Sequence, residues 1–92
     1  MNRAKKFLID AAGQLDLPAD ILASVPRMEV VGLREFSIEP HNGLLKYEKE
    51  QIGIETAVGK ICICGTDLTI KLMNKNKITV YGDLRTLYLQ EN

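Results

Sequence analysis

The sequence contains no tryptophan and few other aromatic residues, with two phenylalanines and three tyrosines among 92 residues. A core built from this chain must therefore come from isoleucine, leucine and valine, and β-branched side chains favour strands over helices. The hydrophobic share of 46% and the charged share of 26% are typical of a globular protein and argue against disorder. The length fits one domain with a modest core.

Neither sign of charge is in excess, because 12 Lys and Arg residues balance 12 Asp and Glu residues. No overall field therefore draws the chain onto nucleic acid or anionic lipid. No apolar run approaches the ~20 residues of a transmembrane helix. The N-terminus begins like a signal peptide, but Asp10 interrupts an apolar stretch that is too short. Two cysteines are also few for a small secreted domain, so we expect a cytoplasmic protein.

The N-terminal segment favours a short helix over residues 3–16. Its apolar residues recur at spacings of three and four: Ala4, Phe7, Leu8, Ala11 and Leu15. A helix of this length is marginal alone, so we expect this stripe to pack on the sheet or to form an interaction face for a partner or a membrane surface. We assign residues 1–26 to this helical preface and residues 27–92 to a β domain, together one globular unit.

From Met28 onward the apolar residues alternate with polar ones, as in half-buried strands. The alternating sets are Phe36 and Ile38, Ile52 and Ile54, Ile61 and Ile63, Leu68 with Ile70 and Leu72, and Ile78 and Val80. The predicted reversals are Asn42-Gly43, Gly59-Lys60, Gly65-Thr66-Asp67, Asn74-Lys75-Asn76 and Gly82-Asp83. This pattern predicts about eight short, mostly antiparallel strands in a two-layer sandwich or roll.

A weak internal repeat leaves a second architecture open. Ile61-x-Ile63-x-Gly65 resembles Ile78-x-Val80-x-Gly82, seventeen residues later. Stacked repeats of this kind form short β-solenoids, which are the alternative to a run of hairpins.

Cys62 and Cys64 are two residues apart on a predicted strand and share the face opposite Ile61 and Ile63. Their side chains are then about 6.5–7 Å apart, too far for a disulfide between them. A metal site would need further ligands, and His41 is the only histidine. We interpret both cysteines as small apolar residues on a second buried face of a central strand.

The remaining ionisable residues offer no convincing catalytic set. His41 lies in the loop of the predicted Asn42-Gly43 turn, and we interpret it as a surface residue. Glu48 and Glu50 share a predicted strand face beside Lys46, as in a solvated hairpin. No phosphate-binding loop occurs. We therefore expect no catalytic, cofactor-binding or metal-binding residues, no small-molecule substrate and no enzymatic activity.

Binding of single-stranded nucleic acid needs a basic groove with exposed aromatic rings. The available groups are Tyr47, Tyr81 and Tyr88, with Lys71, Lys75 and Lys77 near Tyr81. This cluster is thin, so nucleic-acid binding is the weaker alternative.

Four motifs in order along the chain give the sequence a family likeness. They are Leu17-Pro18-Ala19-Asp20, Val25-Pro26-Arg27, Ile61-x-Ile63-x-Gly65-x-x-Leu68-x-Ile70 and Ile78-x-Val80-x-Gly82. Together they resemble the YabP/YqfC family of small sporulation proteins, and the helical preface is similar to that of the YqfC branch. The resemblance spans about residues 7–89.

The resemblance implies an endospore-forming bacterium and a role on the mother-cell side of spore development. It also implies a membrane-protein partner and carries no catalytic residues. We therefore expect a non-enzymatic accessory or assembly factor that binds a membrane-anchored sporulation partner, in the cytoplasm or peripherally at the membrane. The alternative is a self-assembling structural protein of a spore layer, which requires a homo-oligomer.

Overall fold

The computed structural model describes residues 25–91, which form six strands. These are β1 (Arg27–Val31), β2 (Glu35–Glu39), β3 (Gly43–Tyr47), β4 (Gln51–Thr56), β5 (Gly59–Met73) and β6 (Ile78–Gln90). They make one antiparallel sheet in the order β1-β2-β6-β5-β4-β3. The mainly β prediction is confirmed, and the antiparallel ladder differs from the parallel stacking of a solenoid. The predicted helix over residues 3–16 lies outside the described residues.

The eight predicted strands become six because two predicted reversals are wrong. β5 continues through Gly65, and β6 continues through Gly82. A Cβ on Gly65 would clash with the carbonyl oxygen of Asp83, so the main chains of β5 and β6 approach closely here. Gly82 has a φ of 149°, in the region that favours glycine. Glycine inside a strand marks a bulge or a close approach, and composition alone does not separate this case from a turn.

The glycines lie at a bend in the two long strands. The β5–β6 register shifts between residues 64 and 65, between 66 and 69, and between 70 and 72. Bulges of this kind bend a strand and increase its twist. We call β1, β2 and the hairpin end of β5 and β6 the first half of the sheet. The second half comprises β3, β4 and the other ends of β5 and β6.

Both halves contribute to one core. Its buried members are Phe36, Ile38, Ile52, Ile54, Ile61, Ile63, Leu68, Ile78 and Val80. The halves of one bent sheet therefore take the place of the two separate layers of a sandwich.

The connection between β2 and β3 forces the sheet to curl. Asn42-Gly43 is not the predicted hairpin, because β6, β5 and β4 lie between β2 and β3 in the sheet. On a flat sheet the two strands would be about 19 Å apart. The four steps from Glu39 to Gly43 reach only about 14 Å. A connection this short can join β2 to β3 only because the two halves of the sheet fold towards each other.

The other connections are short hairpins. The reversal predicted at Gly59-Lys60 lies two residues earlier, at Ala57 and Val58, and the one predicted after β5 is confirmed. In the latter, the Asn74 side chain accepts hydrogen bonds of 2.8 Å from the main-chain N–H groups of Asn76 and Lys77. The β1–β2 hairpin was not predicted, because it turns on Gly32 and Leu33, each with a φ of 57°. Two positive φ angles are typical of a type I′ turn, where a leucine is unusual.

Candidate binding groove

His41 is buried, with 9% of its surface exposed, so its prediction as a surface residue is wrong. Its Nδ1 accepts a hydrogen bond of 3.0 Å from the main-chain N–H of Gly43. Its Nε2 lies 2.7 Å from the carbonyl oxygen of Asn74 and donates to it. This pair of contacts fixes the neutral tautomer with the proton on Nε2. The ring thus ties the β2–β3 connection to the β5–β6 hairpin, and both nitrogens are engaged by main-chain groups.

Cys62 and Cys64 lie on β5, which is central between β4 and β6 as predicted. Cys62 is buried, Cys64 is half-buried, and both thiols are free. Cys62 lies opposite Gly53 on β4 and Tyr88 on β6. The contact with the Cys62 side chain raises the pKa of the Tyr88 phenol. Cys62 therefore fills a space on the outer face of the sheet, between a glycine and a tyrosine.

Glu48 and Glu50 lie in the turn between β3 and β4, so the prediction that they share a strand face is wrong. Both are exposed, and the Glu48 carboxylate lies 3.5 Å from the Lys46 ammonium group. The main-chain carbonyl of Glu50 accepts a hydrogen bond of 3.1 Å from Gly65. The turn thus packs beside the bend through its main chain.

The tyrosines and lysines do not form one basic platform. The Lys71 ammonium group lies 5.9 Å from the ring centre of Tyr81. A hydrogen bond to Glu35, together with the negative charge of Glu35, raises the pKa of Tyr81. Tyr81 lies in the first half of the sheet and Tyr88 in the second. Within residues 25–91, no group of three or more His, Cys, Asp or Glu side chains is placed to hold a metal ion.

Polar contacts close the sheet where β3 meets β5. The main-chain N–H of Ile70 donates to the Tyr47 hydroxyl over 3.0 Å. The N–H of Leu68 donates to the carbonyl oxygen of Lys49 over 2.7 Å. Together with the His41 contacts, these bonds join β3 and its flanking loops to the first half of the sheet.

The opposite side of the sheet is open. Among the described strands, β1 pairs with β2 alone, and β6 pairs with β2 only from Ile78 to Tyr81. Gly82 and Leu84 then donate main-chain hydrogen bonds of 3.0 Å to the β1–β2 turn. Beyond Leu84, β6 pairs with β5 alone among the described residues. Within residues 25–91, β1 and the end of β6 are therefore two free strand edges.

An apolar groove lies between these edges, and we call it the β1–β6 groove. Its lining residues are Val30, Leu33, Phe36, Ile63, Leu84, Arg85, Thr86 and Leu87, and its volume is about 120 Å³. Phe36 and Ile63 belong to the core. The groove therefore gives access from solvent to the edge of the core.

Four inward-facing side chains at the groove remain uncovered. Met28 and Val30 lie opposite the core residues Ile38 and Phe36, and Leu87 and Leu89 lie opposite the core residues Ile63 and Ile61. Residues directly opposite in a sheet share a face. The four side chains nevertheless keep 39–44% of their surface exposed. The apolar face of the sheet thus extends beyond the part that the other half covers.

Sequence reasoning did not identify this groove. The predicted interaction residues Ala4, Phe7, Leu8, Ala11 and Leu15 lie outside the described residues. A usable signal was the density of apolar residues around Gly32 and from Leu84 to Leu89. Alternation indicates which face turns inward, but it does not show whether another strand covers that face.

Two comparisons with known proteins point to the same family. The family model described as the YabP family matches residues 23–92. The chain is 30% identical over 83 residues to a Bacillus subtilis (strain 168) protein described as "Uncharacterized protein YqfC", a match that covers 90% of this chain and 86% of the relative. No solved structure matches the chain. In residues 25–91 there is no helix with the length and apolarity needed to cross a membrane.

Proposed function

Since the chain belongs to the YabP family, we propose that it is a non-enzymatic accessory or assembly factor of sporulation, which binds a membrane-anchored partner protein in the mother cell. The partner's membrane anchor would place the chain peripherally at the membrane. Support comes from the family and from the β1–β6 groove.

The observation that carries the proposal is the pair of free strand edges beside an apolar groove. Exposed edges present unpaired N–H and C=O groups to other chains, and natural proteins usually blunt or cover them. A peptide that adds a strand to such an edge gains main-chain hydrogen bonds, and its alternate side chains enter adjacent pockets. β1 is the suitable edge, because the groove begins at Val30 on its inner face.

The exposed apolar surface beside β1 adds a modest contribution to partner binding. Met28 and Val30 each keep about two fifths of their surface exposed. Covering this surface on the two side chains contributes about 1.5 kcal/mol, which is less than the entropic cost of association. Main-chain hydrogen bonds along β1 and the length of the partner segment would add to this.

Co-purification of the tagged full-length chain from sporulating cells tests the proposal. We expect the wild-type chain to recover one membrane protein, and Val30→Lys to lose it, because a charge in the groove opposes an apolar ligand. Val58→Lys is the matched control, since Val58 is equally exposed in the β4–β5 turn, away from the groove. Recovery of the chain alone, together with normal spores from a deletion strain, would rule the proposal out.

A further inference from the structure

The free edge of β6 has a sequence that is complementary to itself. Residues 85–91 read Arg-Thr-Leu-Tyr-Leu-Gln-Glu, and all seven are exposed. Arg85 and Glu91 form no ion pair with a described residue. The segment therefore has apolar residues at its centre, polar residues outside them and opposite charges at its two ends.

We propose that two copies of the chain pair through this edge, antiparallel, about a two-fold axis at Tyr88. Arg85 then faces Glu91 of the second copy, and the reverse contact occurs on the other side of the axis. A two-fold interface is self-complementary in this way, so each favourable contact is made twice. The result is one continuous sheet in the order β3-β4-β5-β6-β6-β5-β4-β3 across the two copies.

Only this register matches every pair. Residues directly opposite in a sheet share a face, so the axis must pass through a residue of β6. An axis at Leu87 would place Arg85 opposite Leu89, and an axis at Leu89 would place Leu87 opposite Glu91. The axis at Tyr88 pairs Leu87 with Leu89, Thr86 with Gln90 and Arg85 with Glu91. Cross-strand pairs of like polarity and opposite charge stabilise a sheet, whereas mismatched pairs do not.

The pairing also covers exposed apolar surface. Leu87 and Leu89 lie on the inner face opposite Ile63 and Ile61, and each keeps about two fifths of its surface exposed. In the dimer each of them gains a leucine neighbour on the same face. β1 takes no part in the pairing, so its edge stays available to a partner, whereas Arg85, Thr86 and Leu87 belong both to the groove and to the dimer interface.

Sedimentation of the purified full-length chain over a range of concentrations tests the dimer. We expect Arg85→Glu alone and Glu91→Arg alone to weaken it about tenfold or more, because each change places like charges opposite each other at two symmetric sites. The double variant Arg85→Glu with Glu91→Arg restores opposite charges and should return the dissociation constant to near the wild-type value. Lys75→Glu makes the same change of charge in an exposed turn and should leave the dimer unchanged.

Three results would overturn the proposal. A wild-type chain that stays monomeric at high concentration leaves the edge to another occupant, such as residues 1–24 or a different protein. A dimer that tolerates both single changes uses another surface. Single variants that weaken the dimer without recovery in the double variant exclude this register. Circular dichroism checks that each variant is folded. Sedimentation uses the purified chain without any other protein, so its outcome is independent of partner capture and the two proposals fail separately.

Discussion

The two sides of the bent sheet end in different ways. At the closed side, β3 and its loops meet the first half. There the Tyr47 hydroxyl and the Lys49 carbonyl accept hydrogen bonds from main-chain N–H groups of β5, and His41 donates one to a carbonyl of the β5–β6 hairpin. The open side, between β1 and the end of β6, has apolar side chains and free main-chain edges. The comparison shows that alternating apolar residues are not enough to close a small sheet. Closure depends on a few polar groups that form hydrogen bonds with main-chain N–H and C=O groups at the junction.

The largest expected effect on stability comes from a substitution at the bend that both sides share. Gly65→Ala should destabilise the protein by about 3 kcal/mol or more, because its Cβ would meet the Asp83 carbonyl and the two main chains must move apart. Urea denaturation measures the loss. Gly53→Ala is the control, since the nearest atom would be a side-chain carbon at 3.5 Å, an ordinary contact. Equal costs for the two variants would show that the close approach at Gly65 does not hold the bend.

The second prediction opens the closed side. His41→Ala should cost about 2–4 kcal/mol, because it leaves the Gly43 N–H and the Asn74 carbonyl without their partner at a buried junction. The free energy of unfolding again provides the measurement. Asn42→Ala changes an exposed neighbour in the same connection and should stay within about 0.5 kcal/mol of the wild type. A negligible effect of His41→Ala would mean that the connection is held by its main chain alone.

The third prediction concerns the open side, where we expect a substitution to increase the stability. Leu33→Asn should stabilise the isolated chain by about 0.5–1 kcal/mol, because leucine is strained at a φ of 57° and asparagine tolerates it. Leu45→Asn is the control, an exposed leucine within β3, where asparagine is unfavourable. If Leu33→Asn also weakens capture of the partner, the leucine is retained for binding at a cost in stability. A destabilised Leu33→Asn variant would indicate instead that Leu33 supports the fold.

The alternating core of both halves could be predicted from the sequence, whereas the polar junction of the closed side and the groove of the open side could not. The alternation around Ile52 and Ile61 placed these residues in the core correctly, since period two depends only on local chain geometry. Gly65 was misread as a reversal because a glycine serves a turn and a close strand approach equally well. The β1–β6 groove depends on where β6 stops pairing with β2, a long-range property that no local pattern encodes.

Because β5 and β6 run unbroken through both halves, no flexible linker separates the halves, and neither can swing as a rigid body about a hinge. Any motion that parts them must flex the β5–β6 ladder at its bend and break the hydrogen bonds of the closed side. We expect the amides of this ladder to exchange with solvent only through global unfolding, whereas those of β1 exchange by local fraying. A ligand that binds β1 would thus slow the hydrogen exchange of the β1 amides. The exchange of the β5 and β6 amides would still be governed by global unfolding.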